Sequence, residues 1–156
     1  MTNLRDHLVH PPRRLPDLAL ATLGGAACPL RPGGRRSSVL VLVHSTECAA
    51  CAAFVVRLAA AADGLRAWDG EVRVIVPAAQ AGSPSASPFT LLVDAEQRVA
   101  TALGITPPAV VIADQWGEVH DVREAAGEHR FPAVEEIESW LRYLAIQCPE
   151  CQGEAL

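Results

Sequence analysis

The chain contains no lysine: its thirteen basic residues are all arginine. They are scattered, nowhere forming a basic run, and the net charge is −5. Neither feature suits a polyanion, so nucleic acid is not an expected partner. Also absent is any apolar stretch near the roughly 18 uninterrupted residues that a membrane helix needs. The opening thirty residues show no secretory pattern, because Pro16 and Asp17 interrupt the apolar stretch that follows Arg13 and Arg14. The expectation is a soluble, cytoplasmic protein with no membrane partner. Aromatic residues make up only 4% of the chain, and Trp68, Trp116 and Trp140 are too dispersed to form a ligand cage.

What is present is core material and cysteine. Half of the 156 residues are hydrophobic, enough for one domain with a real core. Five cysteines occur: Cys48 and Cys51 form one C-x-x-C pair, Cys148 and Cys151 a second, and Cys28 is left over as an expected buried strand residue. In a reducing cytosol such pairs are more often catalytic, redox-sensing or metal-binding than structural staples.

Periodicity and breakers predict a β,β-β-α-β-α-β,β-α order. Residues 1–14 read as a flexible arm and 15–147 as the folded domain, followed by a 148–156 tail. Within the domain, PDLALATLGGAACPL suggests two short strands around Gly24-Gly25. Strand 39–44 leads into a helix from Ala49 to Ala62, with Gly64 and Asp69-Gly70 ending the unit. Val72–Val76 reads as a second central strand, and 78–88 as a Pro/Ser-rich loop. Phe89–Val93 is a short apolar segment, and Asp94 is placed as the cap of a short helix ending before Gly104. Strands 109–113 and 118–122 flank a turn at Asp114–Gly117, and 133–147 carries a helical apolar stripe. A strand–helix–strand unit implies a right-handed crossover and parallel strands, whereas the late hairpin adds an antiparallel pair. The fold class is therefore α/β, a mixed central sheet flanked by helices.

In this frame Cys48 falls at a strand-to-helix turn. Free backbone N–H groups and the positive end of the helix dipole favour a thiolate there. Cys51 lies one turn further in, within reach for a small disulfide ring. Two other readings of the pair stay open: small buried hydrophobes, or half of a metal site.

Four ordered segments then make the chain resemble a thioredoxin-fold redoxin of the AhpC/TSA, peroxiredoxin-like family, from about Pro16 to Leu144. They are PDLALATLGGAACPL, VLVLVHSTECAAC, PFTLLVDAEQRVATALGI and PPAVVIADQWGEVHDV. The resemblance implies a thioredoxin-like fold with an N-terminal β-hairpin. It makes Cys48 the attacking cysteine, Cys51 the resolving one, and Pro108 a substrate-positioning cis-proline. It implies a protein or small-molecule disulfide as substrate, an upstream thiol reductant, and no cofactor or resident metal; a homodimer stays open. Two departures stand out. Val41 occupies the proline position of the peroxidase motif, with Ser45 three before Cys48. The stretch Ile105-Thr106-Pro107-Pro108 has no arginine to polarise a peroxide. Loss of such a guanidinium costs several kcal/mol of transition-state stabilisation. Disulfide exchange is thus the leading expectation, hydroperoxide reduction the alternative, and a non-catalytic zinc-binding domain the second alternative. Around the pair, Glu47 would raise the Cys48 pKa and a protonated His44 would lower it, so the redox poise is not legible.

The tail pair Cys148/Cys151 is a candidate redox relay or metal pair. About fourteen helical residues at about 1.5 Å each would set it roughly 20 Å from the helix start. A disulfide needs Cα atoms within about 7 Å, so transfer inside one static chain, or one zinc shared by both pairs, is not expected. His7, His10, His120 and His129 share no ligand spacing and read as surface residues, with a tail-associated metal role weighed for His129 alone.

Overall fold

The computed structural model describes residues 13–78, 88–125, 127 and 129–147. Cys148, Cys151, His7 and His10 lie outside the described residues.

The elements are β1 (Ala19–Thr22), β2 (Ala27–Pro29), β3 (Ser37–Leu42), α1 (Ala49–Ala60), α2 (Ala62–Ala67), β4 (Gly70–Val76), β5 (Thr90–Val93), α3 (Arg98–Leu103), β6 (Ala109–Ala113), β7 (Val119–Glu124) and α4 (Val134–Ala145). Together the strands form one sheet in the order β2-β1-β5-β4-β3-β6-β7. Strands β3, β4 and β5 run parallel, while β6 pairs antiparallel with both β3 and β7. The expected mixed sheet is present, with the N-terminal hairpin β1–β2 at one edge.

Strand β3 is buried along its whole length, and its side chains alternate between two cores. Val39, Val41 and Val43 pack with Phe54 and Leu58 of α1 and with Ile137 and Leu141 of α4. Leu40 and Leu42 face the other way, onto Leu92 of β5 and Val99 and Leu103 of α3. Each fully buried large apolar side chain is worth about 1.5–3 kcal/mol against solvent exposure. That double coverage explains the continuous apolar run, which a half-exposed strand would not show.

Four sequence expectations need correction. The first helix does not run unbroken to residue 62; it ends at Ala60 and a second short helix follows, with Gly64 inside it rather than ending it. A Cβ on Gly64 would meet only the flexible end of the Glu138 side chain, with Oε1 at 2.5 Å. Gly70 is tighter still, its Cβ position being 2.5 Å from Leu141 Cδ1 and 2.9 Å from the Leu65 carbonyl. The segment 89–93 contains a strand, β5, paired parallel to β4. Helix α3 starts at Arg98, yet Asp94 still serves it: the carboxylate accepts the N–H groups of Arg98 and Val99, each at 2.9 Å. Cys28 lies in β2 but is half-buried rather than buried.

Arg73 shows how the hairpin is fastened. It sits on β4 at 6% exposure, its Nη1 donating to the carbonyls of Pro29 and Leu30. Its Nη2 meets Glu71 Oε1 at 3.5 Å. At the far side, Arg13 and Arg14, assigned to the loose arm, are tied to the β7 edge: Val119 N–H donates to the Arg13 carbonyl at 2.8 Å, and Arg14 bridges Glu118.

Candidate active site

The C-terminal edge of β3 gathers the relevant groups. Leu42, last in β3, pairs with Ala109, first in β6. Residues 43–48 and the Pro107–Pro108 step thus emerge at one sheet edge, outside the carboxyl end of a central strand. The Pro107–Pro108 peptide bond is cis, and Pro108 is buried.

Cys48 is the N-cap of α1, with extended backbone (φ −74°, ψ 113°), and its carbonyl accepts the Ala52 N–H at 3.1 Å. Its side chain is half-buried. The backbone N–H of Cys51 does most to hold the Cys48 thiol below its ordinary value. Partial desolvation works against this, while the Cys51 side chain and the Ala50 N–H add to the lowering. Cys51, 2% exposed, moves the other way. Burial pushes its pKa up to about 11, the hydrogen bond and charge of Cys48 add to that rise, and the His44 backbone opposes it. Both are free thiols. One sulfur is therefore set up to ionise and its neighbour to stay protonated.

His44 follows β3 and is exposed. Its Nδ1 lies 3.5 Å from Cys51 Sγ. His129, expected at the surface, instead lies here: its ring centroid is 4.9 Å from that of His44, tilted by 54°. Donor atoms of His44, Cys48 and His129 all fall within 4.8 Å of one another. The loop is held down by Phe131, which stacks on Phe54 of α1 with centroids 4.4 Å apart and rings 7° from parallel. Such a pair adds about 0.5–1.5 kcal/mol beyond its buried area. No local spacing in the sequence links residue 129 to 44 and 48; only the return of the chain before α4 does.

The remaining sequence candidates lie elsewhere. Glu47 is exposed and its N–H donates to Ser45 Oγ at 3.1 Å. Trp140 is half-buried against the core rather than fully inside it. Trp116 is exposed at the β6–β7 turn, where its carbonyl accepts from Arg14 and Arg31. His120 is not a free surface residue: its Nε2 lies 2.9 Å from Asp114 Oδ2.

No protein-family model matches the chain, and no curated protein matches it in sequence. Solved structures do match in shape. The AhpC of Mycobacterium tuberculosis superposes with a TM-score of 0.72 at 15% identity, covering 92% of this chain and 98% of that one. Peroxidoxin BcpB from the same organism gives 0.70 at 16% identity, covering 88% and 97%. A secreted M. tuberculosis disulfide oxidoreductase homologous to E. coli DsbE gives 0.64 at 20% identity, covering 82% and 96%. The chain has the thioredoxin-like α/β fold of these proteins, as its four sequence segments imply.

Proposed function

We propose that the protein is a thiol–disulfide oxidoreductase working through Cys48 and Cys51. The observation that carries this reading is the placement of the two free thiols, Cys48 as the N-cap of α1 and Cys51 one turn on and buried behind it, which favours the thiolate of the first and the thiol of the second. The Cys48 thiolate attacks one sulfur of a substrate disulfide, forming a mixed disulfide and releasing the other sulfur as a thiolate. Cys51 then loses its proton, for which His44 Nδ1 at 3.5 Å from its sulfur is an acceptor, and attacks the Cys48 sulfur. The second substrate thiolate leaves, and the enzyme keeps the Cys48–Cys51 disulfide. An upstream thiol reductant returns it to the dithiol. Pro108, at the same edge and preceded by a cis bond, is the proposed support for the substrate backbone.

The substrate is a protein or small-molecule disulfide, and the setting is cytoplasmic, where thiol reductants are abundant. Among the described residues no helix is long and apolar enough to cross a membrane. The chemistry closes within one chain and does not require a homodimer. Insulin-disulfide reduction with dithiothreitol should be accelerated by the protein and not by Cys48→Ser; equal rates for the two would remove the proposal.

Hydroperoxide reduction is the second reading, favoured by the likeness to a peroxidoxin and an AhpC. Val41 in place of the motif proline and the Arg-free stretch 105–108 weigh against it. Single-turnover loss of hydrogen peroxide at a free-thiol-like rate would dismiss it.

A further inference from the structure

His129 has a chemical peculiarity that disulfide exchange does not use. Its backbone is left-handed, with φ at 53°, a conformation uncommon outside glycine, asparagine, aspartate and histidine. Its Nδ1 lies 3.0 Å from the Gly127 carbonyl. A carbonyl oxygen only accepts, so Nδ1 carries a proton, and in the neutral ring Nε2 then presents a lone pair. That Nε2 is buried and has no hydrogen-bond partner among the described residues. A ring nitrogen fixed by a backbone carbonyl on one side and left as a bare lone pair on the other is how metal-ligating histidines are held. The ring does not stand alone, since one donor atom each of His44, Cys48 and His129 lie within 4.8 Å of one another.

We propose that His44, Cys48 and His129 form a binding site for a borderline-soft divalent cation of the zinc class, in a N,N,S arrangement, in the reduced protein. Zinc–sulfur and zinc–nitrogen bonds of about 2.3 and about 2.0 Å put tetrahedral donors about 3.4–3.7 Å apart. The three groups therefore need to draw in by about 1 Å. His44, the exposed member of the three, is the freest to move. Binding releases the Cys48 thiol proton and forms one sulfur–metal bond. Cys51 is buried and already engaged with Cys48 and His44, so the fourth position goes to water. The site deepens the proposed function in one respect: it occupies the attacking sulfur. Metal must leave before Cys48 can attack a disulfide, and the Cys48–Cys51 disulfide, having no thiolate, does not bind it. The cation is thus a reversible blocker of the exchange thiol.

The second histidine-bearing cluster, Asp114, Glu118 and His120, lacks this feature. Asp114 Oδ1 accepts the Trp116 and Glu118 N–H groups at 2.9 and 3.0 Å, and Oδ2 meets His120. It closes a turn.

The test is titration of the reduced full-length protein with Co2+, then displacement by Zn2+, read by the thiolate-to-cobalt charge-transfer band. One equivalent should bind. The band should vanish in Cys48→Ser and in His129→Ala, and persist in His120→Ala and in the Cys148→Ser/Cys151→Ser double variant. It should also be lost when the Cys48–Cys51 disulfide is formed. A band that survives His129→Ala, or that depends on the tail cysteines, would overturn the site. If His129→Ala proves misfolded by circular dichroism, His44→Ala takes its place with the same expected loss. The readout is binding and not turnover, so an exchange-inactive protein that still binds cobalt would sink the proposed function and leave the site standing.

Discussion

The turn after β3 and the turn between β6 and β7 both place a histidine against other ligand-bearing side chains, and their internal chemistry differs. At the β6–β7 turn, Asp114 is 2% exposed, and its two carboxylate oxygens are taken up by two backbone N–H groups and His120. Past β3, Cys48 is half-buried, His44 is exposed, and the Nε2 of His129 has no hydrogen-bond partner among the described residues. Buried polar groups are nearly always paired. A satisfied cluster therefore reads as part of the fold, and an unsatisfied one beside a lowered thiol reads as a place where chemistry or a ligand completes the structure.

The largest expected effect that sharpens this contrast is on turnover. Cys51→Ser should stop the exchange after its first half and accumulate a mixed disulfide on Cys48, seen by intact mass; free Cys48 after exposure to a disulfide substrate would contradict that. Next comes stability. Asp114→Ala strips the β6–β7 turn of its acceptor and should lower unfolding stability by about 1–3 kcal/mol, measured by denaturant titration, while insulin reduction is unchanged. An activity loss comparable to that of Cys48→Ser would break the distinction between the clusters. A smaller effect is the pH dependence of the reduced protein. The Cys51 pKa is raised in the folded state, from 9.0 to about 11. Its contribution to stability is therefore fully present below about pH 9 and lost as pH rises toward 11. Cys48, being lowered, contributes above its unfolded value and loses that contribution as pH falls. Cys51→Ala should flatten the alkaline decline in melting temperature; an identical decline would refute the burial argument.

Much of this molecule was legible because it rests on short-range pattern. Val39–Val43, the Ala-rich helix after Cys51, AVVIA at 109–113 and the stripe from 134 to 145 each declare their period locally, and each forms the expected element. The two cysteines announce themselves by spacing, and the position of Cys48 follows from the strand–helix junction. What was hidden depended on packing between distant segments. Strand β5 is only four residues long, and its identity comes from pairing with β4. Gly64 looks like a breaker but lies inside α2, and Gly70 is a place where Leu141 of α4 and the Leu65 carbonyl come close. His129 is brought to His44 by a loop anchored through Phe131 on Phe54, a contact between residues 77 positions apart that no window of sequence contains. The fold was thus readable from periodicity, and the candidate cysteine pair from spacing. The histidine that completes the cluster needed the tertiary structure.

The central claim is that the two thiols of one helical turn ionise in opposite directions. Site-resolved alkylation of the reduced protein with iodoacetamide, followed by mass spectrometry across a pH series, tests it most directly. Cys48 should react with a midpoint below that of an unperturbed thiol, while Cys51 stays unmodified until strongly alkaline pH. Equal midpoints for the two cysteines, or Cys51 alkylated first, would contradict the account.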